Sequence, residues 1–83
     1  MSWFCYILRC ADDTLYCGIS NDLKKRLEAH NCGIGAKYTR TRTPVEIVYH
    51  ETCNDRSTAS KRELAIKKLS RVQKLGLIAT HKG

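Results

Sequence analysis

Two pairs of residues and one carboxylate have types and spacings that could carry chemistry. Tyr6 and Tyr16 stand in neighbouring strand-like stretches, and a hairpin between these stretches would bring their phenols together over one face of a sheet. Arg26 and His30 have the i, i+4 spacing that puts both on one helix face, where two cationic groups suit a phosphate. Tyrosines in strands ordinarily serve packing and basic helix faces are ordinarily solvated, so neither pair predicts a site by itself.

Glu63 is the most informative of these residues. In a helix its i−4 and i+3 neighbours are Ala59 and Ile66, so its carboxylate borders the side that should face the sheet. A carboxylate at the edge of a core is costly unless it is paired or binds a cation. Salt bridges are one explanation, with Lys61, Arg62, Lys67 and Lys68 all nearby in the sequence, and a metal ion is the alternative. Phosphodiester hydrolysis needs an activated water, charge stabilisation and help for the leaving oxygen, and a carboxylate-held Mg²⁺, an arginine and a phenol would together supply these three functions.

The overall composition points to a small domain that binds a polyanion. Fifteen Lys and Arg against eight Asp and Glu give a net charge of +7 in 83 residues, which favours nucleic acid as a partner. A chain this short buries a modest core, so its active site should be a shallow cleft or an open face. The sequence has no apolar run of roughly 20 residues and no positively charged leader. We therefore expect a cytoplasmic protein that does not bind membranes and is nucleoid-associated when it acts on DNA.

The five cysteines predict packing rather than a metal site. Their number is odd and no CxxC pair is present, which disfavours a zinc ribbon or a thioredoxin-like site. We expect reduced thiols. Cys5 and Cys17 lie in apolar runs, where a free cysteine packs as a small hydrophobe.

The elements that must position these groups follow from hydrophobic periodicity and turn residues. Strands over 3–9 and 15–19 with a polar turn between them predict a hairpin, and Gly18 marks a bend or a close approach to the backbone. A third strand over 45–50 should place Val45, Ile47 and Tyr49 on one side. Helices are expected over about 22–30, 58–69 and 70–78, with a capping box in the last and a frayed tail over 79–83. The order β-β-α-β-α-α predicts an α+β fold, a three-stranded antiparallel sheet flanked by helices.

The motifs, taken in order and spacing, resemble the GIY-YIG nuclease domain. The resemblance is carried by Cys5-Tyr6-Ile7, by Tyr16-Cys17-Gly18-Ile19, by Arg26 in one helix and by Glu63 in a later helix. The stretches 15–30 and 35–40 are especially similar to the small stand-alone bacterial members, and the likeness covers about 3–78. It implies a three-stranded antiparallel sheet with flanking helices and a cleft on the sheet face.

The resemblance also implies roles for individual residues. Tyr6 and Tyr16 match the tyrosines of the two motifs, one of which orients or deprotonates the attacking water. Arg26 matches the arginine that contacts the scissile phosphate, and His30 matches a position that is often a histidine near the nucleophile. Glu63 matches the glutamate that holds a single Mg²⁺ or Mn²⁺. Further nucleic-acid contacts are expected from Lys25, Lys37, Tyr38, Arg40 and Arg42.

The chain departs from the family pattern in two places. Cys5 stands where the family name has its first glycine. Larger relatives carry an asparagine about a dozen residues after the glutamate, and here that region reads Gln73-Lys74-Leu75. The identity of the base is open, because free tyrosine has a pKa of about 10 and few phenolates exist at pH 7. Either Arg26 or a metal favours the phenolate, or His30 is the base and the tyrosines orient water.

We therefore expect one domain, 1–83, with its core over about 3–78, that hydrolyses DNA phosphodiester bonds with one divalent ion. Such an endonuclease should be structure-selective or low in sequence specificity, with a role in DNA repair or processing. RNA is the alternative substrate, and a dimer is the alternative to the expected monomer. The second hypothesis is a nucleic-acid-binding module with a catalytically dormant nuclease fold. The third is an interaction domain that contributes positive charge to a repair or RNA complex.

Overall fold

The sheet and helices follow the predicted order. The structure, a computed structural model, describes residues 2–81. Its elements are β1 (Trp3–Arg9), β2 (Leu15–Ser20), α1 (Leu23–Asn31), β3 (Glu46–Cys53), α2 (Arg56–Lys67) and α3 (Arg71–Thr80). The strands form one antiparallel sheet in the order β2-β1-β3. The predicted α+β fold, a three-stranded antiparallel sheet with flanking helices, is confirmed.

The central strand β1 is apolar on both faces because both are covered. Cys5 and Ile7 pack with α2 and α3 on one face, which we call the α2 face. Tyr6 and Leu8 pack with α1 on the other, the α1 face. All four side chains are at most 1% exposed, so alternate residues of one strand supply the centre of two separate packing clusters.

A bulge in β3 changes which face its residues reach. Ile7 pairs with Tyr49 but Leu8 pairs with Ile47, so one extra residue, Val48, is inserted into β3. The prediction that Val45, Ile47 and Tyr49 share one side is therefore wrong. Val45 and Ile47 pack on the α1 face, whereas Tyr49 packs on the α2 face.

Two element boundaries differ from the prediction for identifiable reasons. β3 continues to Cys53 rather than ending at 50, because Thr52 and Cys53 still pair with the start of β1. α2 begins two residues earlier than expected, since the Asp55 carboxylate accepts a hydrogen bond from the Thr58 backbone N–H at 2.7 Å and caps the helix at that point. The earlier start adds Arg56 to the helix.

The last helix has the predicted start and a later end. Ser70 and Gln73 form the expected capping box. The helix runs to Thr80, so the frayed tail is wrong for Ala79 and Thr80. His81 follows the helix as its C-cap, and the remaining positions of that prediction, 82 and 83, lie outside the described residues. Within residues 2–81, none of the helices combines the length and apolar character needed to cross a membrane.

Candidate active site

The two motif tyrosines meet on the α1 face over Gly18. Tyr6 lies opposite Gly18 and Tyr16 opposite Leu8, so the tyrosines occupy diagonal positions across the hairpin. A Cβ atom at position 18 would stand 2.6 Å from the Tyr6 hydroxyl oxygen and 3.3 Å from the Tyr16 ring. The close approach expected at Gly18 is therefore confirmed: the Tyr6 phenol crosses the backbone of β2, and only a glycine leaves room for it.

Arg26 and Glu63 join the tyrosines in one cleft beside the edge strand β2. The cleft has a volume of about 410 Å³. Its lining consists of Trp3, Tyr6, Tyr16, Gly18, Ile19, Ser20, Asn21, Arg26, Arg56 and Glu63. Four predicted site residues thus converge from four different elements, β1, β2, α1 and α2. Tyr6 is only 1% exposed and belongs to the floor of the cleft.

Arg26 is held in place but keeps an unused donor. One terminal guanidinium nitrogen, Nη2, donates to the Gly35 carbonyl at 3.0 Å. Its Nε is buried and has no hydrogen-bond partner within residues 2–81. A buried donor without an acceptor is unfavourable, so this group favours the arrival of an anion with acceptor oxygens.

His30 lies behind Tyr6 rather than in the cleft. It is fully buried, with Nε2 3.1 Å from the Tyr6 hydroxyl and Nδ1 2.7 Å from the Thr39 hydroxyl. A Cβ atom at Gly35 would stand 2.7 Å from the His30 ring, so the loop after α1 packs directly against the imidazole. The shared helix face predicted for Arg26 and His30 therefore brings only Arg26 to the cleft.

Burial and the neighbouring guanidinium set the protonation of this pair. Burial raises the pKa of the Tyr6 phenol, and the Arg26 guanidinium opposes the shift by favouring the phenolate. Burial lowers the pKa of His30, and the Arg26 charge lowers it further. Both shifts favour the neutral forms at neutral pH, so one ring nitrogen of His30 is unprotonated.

Glu63 is the acidic member of the cleft. Its side chain is 21% exposed and forms an i, i+4 ion pair with Lys67 at 3.7 Å. Such a pair at a solvated position contributes little free energy, so the Glu63 carboxylate remains available to a metal ion. Within residues 2–81 no group of three or more His, Cys, Asp or Glu could hold a metal ion. A lone carboxylate does not suit zinc, but it fits Mg²⁺, which keeps several waters and takes further oxygens from substrate phosphates.

The basic loop after α1 borders the tyrosines. Tyr38 is exposed and stacks on Tyr16, with the ring centroids 5.7 Å apart. Lys37 and Arg40 are also exposed in this loop. Lys25 is exposed on α1 and lines a shallow groove that shares Ser20, Asn21 and Arg26 with the cleft. Exposed basic and aromatic side chains therefore lie in the loop beside Tyr16 and on α1 next to Arg26.

Arg42 differs from the other predicted nucleic-acid contacts because it is engaged within the fold. Its Nε donates to Asp12 at 3.0 Å and its Nη1 to the Tyr38 carbonyl at 2.6 Å. The guanidinium also lies 4.1 Å from the centre of the Tyr38 ring. These contacts hold the loop and the exposed tyrosine in position beside Tyr16.

Sequence reasoning missed a second cation in the cleft, Arg56. It lies before the predicted helix 58–69, but it is the first residue of α2 and lies two turns before Glu63 on the same helix face. Its guanidinium carbon is 5.7 Å from the centre of the Trp3 ring. The Asp55 cap was the available signal, since a helix that begins at Arg56 puts Arg56 and Glu63 in register. Thr39 was also missed, and no spacing rule marks it.

Residues 2–75 match the family described as the GIY-YIG catalytic domain. The chain belongs to the GIY-YIG family. It is 55% identical to a UPF0213 protein from Desulfotalea psychrophila, covering 99% of this chain and 76% of that protein. It is 53% identical to a UPF0213 protein from Clostridium perfringens, covering 93% of this chain and 83% of that protein. The family resemblance inferred from the sequence motifs is confirmed.

Solved structures agree with the GIY-YIG assignment. The solution NMR structure of a UPF0213 protein from Bacillus halodurans aligns with a TM-score of 0.63 at 36% identity, over 100% of this chain and 88% of that one. The solution NMR structure of a protein from E. faecalis aligns with a TM-score of 0.64 at 39% identity, over 100% of this chain and 93% of that one. The sheet and helices described above are therefore the fold of these relatives.

Both departures from the GIY-YIG pattern lie away from the cleft lining. Cys5, in place of the first glycine, is buried on the α2 face with its sulfur 3.8 Å from that of Cys17, so it packs as expected for a small hydrophobe. The Gln73 side chain accepts a hydrogen bond from the Ser70 backbone N–H at 2.9 Å and caps α3. Gln73 is therefore committed to a structural contact.

Proposed function

We propose that the protein is an endonuclease that hydrolyses DNA phosphodiester bonds with one divalent metal ion, in DNA repair or processing. The observation that carries this proposal is the convergence of Tyr6, Tyr16, Arg26 and Glu63 in one cleft. A protein that only binds nucleic acid needs lysines and arginines, whereas this cleft also contains phenols and a carboxylate. These are groups that move protons and hold metals.

The two arginines of the cleft would bind the scissile phosphate. Arg26 offers its buried Nε, which lacks a partner within residues 2–81, and Arg56 lines the same cleft from the start of α2. Guanidinium groups match phosphate geometry and stay charged at every working pH. Donors fixed before the substrate arrives stabilise the charge that grows on the phosphoryl oxygens in the transition state.

Glu63 would hold the metal. Its carboxylate lies in the cleft with a weak ion pair, and a single carboxylate suits an ion that takes its other oxygens from water and phosphate. A bound Mg²⁺ or Mn²⁺ would supply charge neutralisation at the phosphoryl and leaving oxygens.

Tyr6 and His30 would together remove the proton from the attacking water. The phenol is neutral at rest, because burial raises the pKa of Tyr6. It can accept a proton from water only as it releases its own, and His30 Nε2 stands 3.1 Å from its oxygen to receive it. Because the proton passes from water to Tyr6 and from Tyr6 to His30, no free phenolate is needed. Tyr16, which borders the cleft beside Tyr6, would orient the water.

The surroundings of the cleft suit a strand read by its backbone. Lys25 is an exposed cation beside Arg26, and Lys37 and Arg40 are exposed in the loop that carries Tyr38. Exposed Tyr38 offers a ring on which a nucleobase can stack. Phosphate contacts position a nucleic acid but carry no sequence information. We therefore infer selectivity for DNA structure rather than sequence, and one cut per binding event, because one chain supplies one set of Tyr6, Tyr16, Arg26 and Glu63.

A cleavage assay on plasmid, single-stranded and branched DNA, with RNA as a further arm, tests this function. We expect cutting with Mg²⁺ or Mn²⁺ that is lost with EDTA and in Glu63→Gln. The matched control is Glu28→Gln, since Glu28 is an exposed carboxylate on α1 outside the cleft. Cutting that survives both EDTA and Glu63→Gln would contradict the metal role.

A binding module with a dormant nuclease fold is the second candidate. Its specific support is Gln73, which stands in the region where larger relatives carry an asparagine and is occupied in capping α3. This candidate predicts that the intact chain retards the same DNAs in a gel shift. It also predicts that none of them is cut under any metal condition.

A further inference from the structure

Thr39 is a fully buried polar residue in the basic loop, and its side chain contacts His30 rather than the cleft. Its hydroxyl oxygen lies 2.7 Å from His30 Nδ1 and donates to the Ala36 carbonyl at 3.1 Å. It is one of only two buried polar residues within 2–81, and the other is His30 itself. A buried hydroxyl at this distance from an imidazole constrains the protons of the ring.

The hydrogen-bond pattern around Thr39 selects one tautomer of His30. A threonine hydroxyl has a single proton, and a carbonyl can only accept. When that proton is directed to the Ala36 carbonyl, the bond between Thr39 and His30 is donated by Nδ1–H. A neutral imidazole carries one ring proton, so Nε2 has none and its lone pair points to the Tyr6 hydroxyl, 3.1 Å away.

The opposite tautomer leaves more groups unsatisfied. With the proton on Nε2, Nδ1 would have to accept from Thr39, and the Ala36 carbonyl would lose its donor. Tyr6 would then have to accept from His30, although the Arg26 guanidinium already presents its positive charge to the same phenol oxygen. Buried polar groups strongly favour the arrangement in which each donor finds an acceptor.

We propose that Thr39 is a positioning residue that fixes His30 in the Nδ1–H tautomer and so keeps Nε2 vacant to receive the proton of Tyr6. As a statement about cleavage, this rests on the proposed nuclease function. The same loop also orients Arg26, whose Nη2 donates to the Gly35 carbonyl. The loop that carries Lys37, Tyr38 and Arg40 therefore also sets the protonation of the base, so contact with nucleic acid and activation of water depend on one segment.

Nitrogen-detected NMR of His30 tests the tautomer without reference to activity. In wild type at neutral pH we expect the unprotonated ring nitrogen to be Nε2. Thr39→Val keeps the shape and removes the hydroxyl, so the Nδ1–H form should lose its preference. Thr39→Ser restores a hydroxyl and should restore the wild-type spectrum. A wild-type spectrum with the proton on Nε2 would overturn the inference, and this result does not depend on whether Thr39→Val folds.

Kinetics then separate this inference from the proposed function. Thr39→Val should lower kcat at least about tenfold, and by no more than the roughly 10²–10⁴-fold that general acid–base catalysis contributes in full. We expect little change in KM and rescue by Thr39→Ser. A changed tautomer with an unchanged kcat would overturn the positioning role alone. The expected tautomer in a wild-type chain that cuts no DNA would instead overturn the proposed nuclease function.

Discussion

The two faces of the sheet are built from alternate residues of the same strands, yet they bury different kinds of group. On the α2 face, Cys5, Ile7 and Ile66 are completely buried, and close packing of side-chain volume holds them together. On the α1 face, His30 and Thr39 are buried just as completely, and a chain of hydrogen bonds links them to Tyr6.

The contrast separates the part of the molecule that stabilises the fold from the part to which we assign the proposed chemistry. Burying a polar group is costly unless it is hydrogen-bonded, and an apolar core avoids that requirement. The α1 face nevertheless keeps a histidine, a threonine and a phenol in contact, beside an arginine whose buried Nε has no acceptor within residues 2–81. Substitutions on the α2 face should therefore change stability and leave cleavage nearly intact, and substitutions on the α1 face should do the reverse.

The largest expected effect is on stability, from the α2 face. Ile66→Ala removes a fully buried side chain of α2 and should lower the free energy of unfolding by about 2–5 kcal/mol. Cleavage per folded molecule should stay near the wild-type value, because Ile66 does not line the cleft. Urea unfolding and a cleavage assay on the same sample check both points, and a large loss of specific activity would mean that the faces are not separable.

Arg26→Ala should give the reverse pattern. Removing a donor that stabilises transition-state charge costs about 10²–10³ in rate, whereas the fold loses only one part-buried bond to Gly35. Lys24→Ala, at an exposed position on the same helix, is the matched control and should cut normally. Equal rates for the two variants would remove Arg26 from the proposed chemistry.

Two glycine variants should change the free energy of unfolding in opposite directions. In Gly18→Ala the new Cβ would collide with Tyr6, so we expect a loss of about 1–3 kcal/mol in unfolding free energy and a lower cleavage rate as the phenol shifts. At Gly76 an added Cβ meets nothing within 4 Å. Gly76→Ala in α3 should therefore stabilise by about 0.5–1 kcal/mol through helix propensity and leave cleavage unchanged.

The smallest effect is a pH dependence that comes from the α1 face. Because burial lowers the pKa of His30 from its ordinary 6.5, the unfolded chain binds a proton there before the folded chain does. The contribution of neutral His30 to stability is therefore complete above about pH 6.5 and is lost as the pH falls toward the folded pKa. The slope reaches at most about 1.4 kcal/mol per pH unit for one proton.

Comparison with His30→Gln isolates that slope. The groups that face the imidazole, Tyr6, Tyr16 and Arg26, remain in both chains, so the difference between their stability curves reports His30. Below pH 6.5, we expect the free energy of unfolding to depend less on pH in His30→Gln than in wild type. Parallel curves would show that His30 is not held neutral.

The sequence predicted local features of the fold better than features set by strand pairing, for a physical reason. Apolar periodicity and helix caps are local, so Cys5, Cys17 and the Ser70 cap were predicted correctly. The bulge at Val48 is not local, because it arises from the pairing of β3 with β1, and it reversed the expected side of Tyr49. Pairing with β1 likewise extended β3 to Cys53.

The candidate site was predictable as a set of residues but not as an arrangement. Motif order gave Tyr6, Tyr16, Arg26 and Glu63, and these four do share a cleft. Nothing in the i, i+4 spacing reveals that His30 turns inward, because that depends on Gly35 and Thr39 in the loop that packs against it. Arg56 was missed because the prediction began α2 two residues late.

The most direct test uses two neighbouring residues of β1 that face opposite sides of the sheet. Tyr6→Phe keeps the ring on the α1 face and removes only the hydroxyl, while Cys5→Ala changes the α2 face. Cleavage rates on one DNA with Mn²⁺ should fall by about 10²–10⁴-fold for Tyr6→Phe and stay near wild type per folded molecule for Cys5→Ala. Undiminished cleavage by a folded Tyr6→Phe would contradict the account, because the chemistry would then not pass through the α1 face.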